Sequence, residues 1–424
     1  MNSEYEVAVV GLGYVGMTLA ITLASKGARI LGIEPRASVR NQLNSRNLPF
    51  FEPGLDKVLA ALPESQLVIV DRVPDEVPRT VIVCVGTPTT EGSTQPDLSQ
   101  LCAALVALAP KLTDDSLLVL RSTVPVGTTR ALAIDALGRQ NALTAFCPER
   151  TIQGKAYEEL TSLPQIIGGS SPEATRRGAE LFRLLTETIV EVSSIEAAET
   201  IKLLCNAHTD MLYAFGNQTA LIAEALGLDA RELLASANQQ YPRPRLHQPG
   251  FVGGSCLTKD PYLLTYSLRD HAVSPDLSLS ARTLNEKMPG HVADRVLQAM
   301  KEAGDPAQST VLILGLAYKG CPETDDIRGS AATEIIAALR GQVGTILAHD
   351  PVVCETVCRG VGAEPAELSA GLARADAVII LTDHPVYAGI DQKQFKVGQI
   401  VMDVWGSQRV LDESAVVYLE LGRA

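Results

Sequence analysis

The stretch VAVVGLGYVG, residues 7–16, decides the fold that this sequence predicts. It begins as a short apolar run and ends in three glycines with the spacing Gly-x-Gly-x-x-Gly. A helical segment follows over residues 17–25, and a second apolar run follows over residues 28–33. A strand, a glycine-rich turn, a helix and a second strand in this order predict a dinucleotide-binding unit.

The three glycines have different roles in such a unit. Gly11 makes the tight turn, Gly13 lets a pyrophosphate approach the backbone, and Gly16 permits close packing of the helix on the strand. Glu34 follows the second strand, where an acid accepts hydrogen bonds from the adenosine ribose and repels a 2′-phosphate. This predicts NAD rather than NADP, although Arg36 lies two residues away.

Alternating strands and helices after this unit predict a parallel sheet. Further strands are expected at residues 66–71, 80–85, 116–121 and 144–147. Thr87, Thr123 and Glu149 follow the ends of three of these strands. Because the carboxyl ends of parallel strands form the ligand crevice, we expect all three residues to face the same cofactor and substrate. For the two threonines, ordinary turn chemistry is the alternative.

A long helix is predicted over residues 195–226, which are rich in Ala and Leu. Lys202, Asn206 and Asp210 recur every four residues and therefore share one face of this helix. Such a polar stripe is usually solvated. The neighbouring positions are apolar, however, which indicates that the helix is buried and that its polar side chains need partners.

The turn PGFVGGSCLTKD, residues 249–260, presents one cysteine with a carboxylate four residues later. Three glycines before Cys256 allow a sharp turn and the close approach of a substrate. Lys259 is a cation that favours thiolate, and Asp260 is a candidate base. The alternative is that Cys256 is a small buried apolar residue.

Two basic segments are candidates for contact with an anionic ligand. The first is YPRPRLH, residues 241–247, for which a solvated linker is the alternative. The second follows the first strand of another predicted α/β unit, with strands expected at residues 310–314, 345–348, 377–381 and 400–404. Lys319 and Arg328 there suit the phosphates of a nucleotide, and a surface ion-pair cluster is the alternative.

Length and composition limit the classes of protein. The 424 residues are too many for one core, and 46% hydrophobic with only 4% aromatic residues favours an α/β protein. A formal charge of −13 argues against a nucleic-acid or anionic-membrane partner. No apolar run reaches the ~20 residues of a membrane helix, so we expect a cytoplasmic protein. Eight cysteines without CxxC spacing and six histidines without HxxxH spacing predict neither disulfides nor a metal site.

Together, the motifs resemble the nucleotide-sugar 6-dehydrogenases, the family that includes UDP-glucose, UDP-N-acetylmannosamine and GDP-mannose dehydrogenases. The matching motifs cover nearly the whole chain and are GLGYVG at 11–16, FFEPGL at 50–55, GTP at 86–88, RSTVPVGTT at 121–129, CPER at 147–150, KLLCN at 202–206, GFVGGSCLTKD at 250–260 and DDIRGS at 325–330. The resemblance implies an α/β protein in which two Rossmann-like, doubly wound parallel-sheet domains are joined by a long central helix and a helical middle domain. The expected boundaries are 1–192 for the NAD-binding domain, 193–304 for the helical domain and 305–424 for the nucleotide-sugar-binding domain.

This family oxidises the C6 alcohol of a nucleotide sugar to a carboxylate with two NAD⁺, through a covalent thioester. By resemblance, Cys256 is the nucleophile, Lys202 and Asn206 hold the oxyanion, Asp260 with Thr123 supports water or proton transfer, and Glu149 is an acid or base. The expected NAD contacts are Gly11, Gly13, Tyr14, Val15, Gly16, Glu34, Thr87, Thr123, Lys259 and Arg328. The expected substrate contacts are Glu149, Arg150, Lys202, Asn206, Arg245, His247, Gly253 and Lys319. The family also implies a homodimer formed through the central helices.

Several positions bear on which sugar is bound. Gln153 stands where the glucose branch has a second glutamate, and PERTIQG resembles the N-acetylhexosamine branch. GGSC resembles the glucose branch instead, and the segment from Lys319 to Arg328 is two residues longer than the common spacing. We therefore predict a UDP-N-acetylhexosamine, such as UDP-N-acetylmannosamine, ahead of UDP-glucose. A two-electron 3-hydroxyacid dehydrogenase and a non-catalytic nucleotide-sugar-binding protein are the alternatives.

Overall fold

A computed structural model of the chain describes residues 4–90, 93–140, 142–241, 245–408 and 415–423. The chain divides into two units, which we call unit one (residues 1–205 and 262–274) and unit two (residues 206–261 and 275–424). The first division falls within a long helix. The three-domain division inferred from the sequence stays a prediction.

Unit one contains a sheet of eight strands. They are β1 (Val7–Val10), β2 (Ile30–Ile33), β3 (Leu67–Val70), β4 (Thr80–Val83), β5 (Leu117–Leu120), β6 (Leu143–Phe146), β7 (Gln165–Gly169) and β8 (Ile189–Glu191). Their order is β3-β2-β1-β4-β5-β6-β7-β8. Strands β1 to β6 are parallel, as predicted, whereas β7 pairs antiparallel with β6 and was not predicted.

Helices cover both faces of this sheet. They are α1 (Tyr14–Ser25), α2 (Ala37–Asn44), α3 (Leu55–Ala61), α4 (Ser99–Leu108), α5 (Ala156–Ser162), α6 (Pro172–Phe182) and a π-helix (Arg130–Asp135), with 3₁₀ turns at Glu64–Gln66 and Ala109–Lys111. Because successive strand residues point to opposite faces, Val9 joins a core cluster with α1 and α6, and Ala8 joins another with α4. The predicted doubly wound arrangement is confirmed for this sheet.

Four helices connect the two sheets along the chain. They are α7 (Ile195–Leu226), α8 (Ala230–Asn238), α9 (Asp260–Ser267) and α10 (Asp276–Ala303). Helix α7 has the bounds that the sequence predicts. Its residues Ile195 and Ala198 are in the core of unit one, and Ala220 and Ala223 are in the core of unit two.

Unit two contains a second, six-stranded sheet. Its strands are β9 (Thr310–Leu314), β10 (Thr345–His349), β11 (Glu364–Pro365), β12 (Ala377–Ile380), β13 (Ile400–Asp403) and β14 (Val417–Glu420). The helices are α11 (Ala331–Leu339), α12 (Glu355–Gly360), α13 (Leu368–Arg374) and α14 (Pro385–Ala388), with 3₁₀ turns at Pro306–Gln308 and Gln392–Gln394. The order β11-β10-β9-β12-β13-β14 is that of the first six strands of unit one, and every pair is parallel.

The two sheets also share the turn that follows their central strand. Gly11 and Gly315 have φ values of 86° and 98°, which glycine adopts without strain. The next amide donates to an acid at the end of the neighbouring strand, Leu12 to Glu34 Oε2 at 3.0 Å and Leu316 to Asp350 Oδ2 at 2.7 Å. Among the described helices, none is both long and apolar enough to cross a membrane.

Candidate active site

The turn between β1 and α1 has the space that a dinucleotide needs. A Cβ atom on Gly16 would lie 2.0 Å from the carbonyl oxygen of Gly11, so only glycine lets α1 approach the strand this closely. At Gly13, by contrast, no described atom lies within 4 Å of the corresponding position. Helix α1 has no side-chain cap and no acid in its first turn. Its N-terminus therefore fits a pyrophosphate group.

Glu34 lies beside this turn and is 2% exposed. Its carboxylate accepts hydrogen bonds from the amide of Leu12 at 3.0 Å and from Arg36 Nε and Nη2 at 2.8 and 3.0 Å. Burial raises the pKa of Glu34, but the hydrogen bonds and charge of Arg36 lower it by more. The pKa of Glu34 is therefore below its usual range. Arg36 and the Leu12 amide therefore hold Glu34 as an ionised carboxylate at the end of β2.

The two threonines predicted at the carboxyl edge of the first sheet are adjacent in the structure. The Thr87 hydroxyl donates to the carbonyl oxygen of Thr123 at 2.5 Å. Ser122 donates to the carbonyl oxygen of Val85 at 2.7 Å and ties the same two segments together. The ends of β4 and β5 therefore form one polar rim in unit one.

Glu149, the candidate acid or base at the end of β6, lies in a buried ion pair. Its Oε2 accepts from Arg121 Nη2 at 2.7 Å, and its Oε1 accepts from the amides of Arg150 and Thr151 at 2.8 and 2.9 Å. Burial raises the pKa of Glu149, but Arg121 and the amides lower it below its usual range. Glu149 is therefore an ionised, fully hydrogen-bonded carboxylate here, and Arg150 is exposed beside it.

Glu52 is a polar residue of the site that the sequence reasoning did not single out. It is 4% exposed and accepts from Tyr14, from the amide of Gly154 at 2.9 Å and from the amide of Tyr157 at 3.1 Å. It thus joins the first residue of α1 to the loop that carries Glu149. The signal in the sequence was an acid within the apolar and aromatic run FFEPGL.

Cys256 lies in a tight turn directly before α9, and its side chain is exposed rather than buried as the alternative reading required. Its carbonyl oxygen accepts from the amides of Lys259 at 3.1 Å and Asp260 at 2.9 Å. The hydroxyl of Thr258 donates to the carbonyl oxygen of Gly254 at 2.6 Å. These bonds hold the turn that presents the thiol.

Behind the turn, Asp260 is fully buried between two donors. Asn206 Nδ2 donates to Asp260 Oδ2 at 2.5 Å, and Lys259 Nζ lies 2.8 Å from Asp260 Oδ1. The ammonium of Lys259 is therefore paired with this carboxylate. Lys202, one helical turn before Asn206 on α7, is 7% exposed.

The glycines before Cys256 combine a sharp turn with close packing of the backbone. A Cβ atom on Gly253 would lie 2.6 Å from the carbonyl oxygen of Gly329, and one on Gly250 would lie 2.6 Å from the Trp405 ring. Gly254 has a φ of 84°, so it makes the sharp turn that the sequence predicts. The space left by the missing side chains of Gly250 and Gly253 is filled by protein atoms, so these two glycines also serve close packing.

The two predicted basic residues after β9 have different partners, an aromatic ring for Lys319 and a carboxylate for Arg328. Lys319 Nζ lies 5.5 Å from the centroid of the Tyr318 ring, and Arg328 Nη2 lies 2.6 Å from Asp326 Oδ2. The hydrogen bond that Arg328 donates to Asp326 raises the pKa of Arg328, whose side chain is 62% exposed. The carbonyl oxygen of Arg328 also accepts from the amide of Gly254 at 3.0 Å. This strand-end segment therefore contacts the turn that carries Cys256.

The first basic segment contributes two described candidates. His247 packs against Tyr213 of α7 with ring centroids 4.3 Å apart and ring planes tilted by 55°, and its Nδ1 lies 2.8 Å from the carbonyl oxygen of Gln248. Arg245 is exposed, and residues 242–244 lie outside the described residues. Tyr213 and Tyr318 were missed in the sequence because a tyrosine at these positions carries no spacing signal.

Two Rossmann-type sheets, a glycine turn that fits a pyrophosphate and a buried acid at the end of β2 define an NAD-dependent dehydrogenase. Comparison with known proteins narrows this class. Three models of one family match in sequence order: the UDP-glucose/GDP-mannose dehydrogenase family NAD binding domain at residues 5–186, its central domain at 196–287 and its UDP binding domain at 312–411. The chain belongs to the UDP-glucose/GDP-mannose dehydrogenase family and is an NAD-dependent oxidoreductase.

Relatives and solved structures agree with this assignment. A UDP-N-acetyl-D-mannosamine dehydrogenase from Pyrococcus horikoshii is 34% identical over 395 residues, which are 91% of each chain. An NDP-N-acetyl-D-galactosaminuronic acid dehydrogenase from Ralstonia nicotianae is 32% identical over 95% of this chain and 97% of its own. A solved UDP-D-ManNAc dehydrogenase structure from Pyrococcus horikoshii has a TM-score of 0.87 at 31% identity and covers 99% of both chains.

Proposed function

We propose that the protein oxidises the C6 alcohol of a UDP-N-acetylhexosamine to the uronate in two successive oxidations at Cys256. The observation that carries this proposal is the exposed thiol of Cys256, held in a hydrogen-bonded turn in front of the buried Asp260 and its partner Asn206. The match of the UDP binding domain supports a UDP-linked substrate. The names of the relatives support an N-acetylhexosamine.

The chemistry requires a nucleophile for the second oxidation. Loss of one hydride and one proton turns the alcohol into an aldehyde, which gives up a second hydride only after its carbon becomes tetrahedral. The Cys256 thiolate forms a carbon–sulfur bond to that carbon, and the carbonyl electron pair moves to the oxygen. After the second hydride leaves, the product is a thioester. Addition of water then breaks the carbon–sulfur bond and restores the thiol.

Charge on the substrate oxygen develops in both the addition and the hydrolysis. Lys202 and Asn206 stabilise this oxyanion as hydrogen-bond donors, which is commonly the largest electrostatic contribution to such reactions. Asp260 fixes the Asn206 amide and, with Thr123, supports the proton transfers of the attacking water. Glu149 is ion-paired with Arg121. We therefore assign it to positioning the loop of Arg150 beside the sugar rather than to proton transfer.

When bound, NAD⁺ would supply the hydride acceptor for each oxidation. Gly11, Gly13 and Gly16 admit its pyrophosphate at the N-terminus of α1, and Glu34 accepts hydrogen bonds from the adenosine ribose. The remaining NAD contacts that we propose are Tyr14, Val15, Thr87, Thr123, Lys259 and Arg328. The nucleotide of the substrate is held by Arg245, His247 and Lys319, together with the backbone of Gly253.

An NADH assay over a panel of UDP- and GDP-sugars tests the proposal. We expect two NADH per substrate with a UDP-N-acetylhexosamine and a lower kcat/KM with UDP-glucose. Cys256→Ala should abolish uronate formation, whereas Cys354→Ala, which removes another exposed thiol, should leave it unchanged. One NADH per substrate with full activity in Cys256→Ala would support a two-electron hydroxyacid dehydrogenase instead. Tight binding of UDP-sugars without NADH formation would support a non-catalytic binding protein.

We also propose a homodimer formed through α7. Four apolar side chains on the unit-two part of this helix are exposed: Leu212 (36%), Phe215 (52%), Ile222 (49%) and Leu226 (66%). Their spacing places them on one helical face, and exposed apolar patches of this kind commonly mark protein interfaces. Light scattering should give the dimer mass for the wild type and the monomer mass for Phe215→Asp. A monomeric wild type would contradict the proposal.

A further inference from the structure

We propose that Asp210, Arg282, Asn285 and Asn217 form a buried brace that fixes both ends of the turn carrying Cys256. The four residues are positioning residues for the nucleophile, and the inference rests on the proposed function of Cys256. Asp210 is the third member of the polar stripe on α7 and has no part in the chemistry above. All four side chains lie in unit two and are at most 2% exposed.

One end of the brace holds the residue after the nucleophile. Arg282 of α10 donates from Nη1 to Asp210 Oδ1 at 2.7 Å and to the carbonyl oxygen of Leu257 at 3.3 Å. The guanidinium therefore joins α7, α10 and the peptide that follows Cys256. This contact limits movement of the turn on its C-terminal side.

The other end holds the start of the turn. Asn285 Nδ2 donates to Asp210 Oδ1 at 2.9 Å and also to the Asp210 carbonyl oxygen at 2.9 Å. Asn217 Nδ2 donates to Asn285 Oδ1 at 2.9 Å, and the amide of Gly250 donates to Asn217 Oδ1 at 2.9 Å. The hydrogen bonds thus run without a break from Leu257 to Gly250, and the seven-peptide segment between them is fixed at both ends.

A purely structural role does not require this arrangement. The desolvation penalty of a buried ion pair can exceed the attraction between its charges, and apolar residues of similar volume often replace such pairs without loss of stability. The neighbours on α10 are apolar, including Ala281, Met288 and Val292. Arg282 contacts the turn directly and Asn285 contacts it through Asn217. This geometry restricts a thiol that must meet a reacting carbon within a fraction of an ångström.

Two variants cut the brace at different points. Asn217→Ala removes the acceptor for the Gly250 amide, and Arg282→Lys keeps a cation for Asp210 but loses the guanidinium that also reaches Leu257. Gln218→Ala and Thr283→Ala are matched controls because each is the exposed neighbour of a brace residue on the same helix. The readouts are kcat for uronate formation and the alkylation rate of Cys256 by iodoacetamide, measured by mass spectrometry relative to the exposed Cys354 of the same molecule.

We expect kcat to fall about ten- to a hundredfold in both brace variants, because misplacement of a reacting group by about 1 Å costs up to about a hundredfold. The alkylation ratio of Cys256 to Cys354 should change by a factor of about three or more, and both controls should match the wild type. General destabilisation would change both thiols together. If Asn217→Ala does not fold, Arg282→Lys decides the question.

The inference is overturned if a folded brace variant keeps kcat within a factor of about two of its control and the alkylation ratio of the wild type. Failure of the proposed function has a separate signature. If Cys256→Ala still forms uronate with two NADH, Cys256 is not the nucleophile and the proposed function fails, whatever the brace variants do. Loss of activity in Cys256→Ala with unchanged brace variants would leave the proposed function intact and reject only the brace.

Discussion

Replacement of Glu149 by glutamine should destabilise unit one strongly. The side chain of Arg121 is fully buried, and its charge is neutralised by Glu149 Oε2 at 2.7 Å. The amide group of glutamine is neutral and cannot accept at both positions, so Arg121 keeps a buried charge without its counter-ion. Removing one partner of a buried ion pair costs about 3–5 kcal/mol. That is a large fraction of the ~5–15 kcal/mol that stabilises a typical domain.

The pH dependence of this effect has a defined sign. Although burial raises it, the pKa of Glu149 is lowered overall in the folded protein by Arg121 and the neighbouring amides. A carboxyl group with a lowered folded pKa contributes stability that is fully present above its unfolded pKa of about 4.3. This contribution is lost as the pH falls through the folded pKa. The wild type and Glu149→Gln should therefore differ most near neutral pH and converge in acid.

Hydrogen exchange measured by mass spectrometry on peptides from β5 and β6 reports this stability directly. The slowest amides of Glu149→Gln should lose about 3–5 kcal/mol of protection at neutral pH. Glu158→Gln, an exposed substitution on α5, is the control and should change protection by less than about 0.5 kcal/mol. Equal protection in the two variants would refute the view that Glu149 is bound to a buried arginine.

Further substitutions test the cofactor turn. Gly16→Ala should unfold or severely destabilise unit one, because the new Cβ would lie 2.0 Å from a carbonyl oxygen. Gly13→Ala should keep the melting temperature of the wild type but bind NAD at least tenfold more weakly. Equal melting temperatures of the two variants by calorimetry would contradict this. Glu34→Ala should lower the ratio of kcat/KM for NAD to kcat/KM for NADP by about ten- to a hundredfold. A hydrogen bond to a charged group contributes about 1.5–3 kcal/mol, and the substitution also frees Arg36 to bind a 2′-phosphate. An unchanged ratio would show that Glu34 does not select the cofactor.

The fold could be predicted where the signal is local. The glycine spacing at residues 11–16 and the alternation of apolar runs with helical segments identified β1 to β6 of the first sheet, the four central strands of the second sheet (β9, β10, β12 and β13) and the full length of α7. The antiparallel strand β7 could not be predicted because its direction is set by pairing with β6 and leaves no mark in its own sequence. Strand β14 at the edge of the second sheet was missed for another reason: it is parallel to β13 but only partly buried, so its sequence is not a continuous apolar run.

In the candidate site, too, positions set by local sequence could be predicted and partners distant in sequence could not. Residues such as Glu34 and Thr87 follow strands, and their positions could be predicted from the topology of a parallel sheet. The pairing of Glu149 with Arg121 and the brace between Asp210 and Arg282 join residues that are 28 and 72 positions apart. Such partners are determined by the packing of the folded chain. The sequence indicated only that the buried polar side chains on α7 must have hydrogen-bonding partners, without saying which.

The most direct test of the central claim is the mass of the Cys256 peptide after rapid acid quenching during turnover with a UDP-N-acetylhexosamine and NAD⁺. The account predicts an acyl adduct of the sugar on Cys256 that forms and decays at the rate of uronate production. Uronate production at the full rate with no adduct on this peptide, and with the same rate in Cys256→Ala, would contradict it.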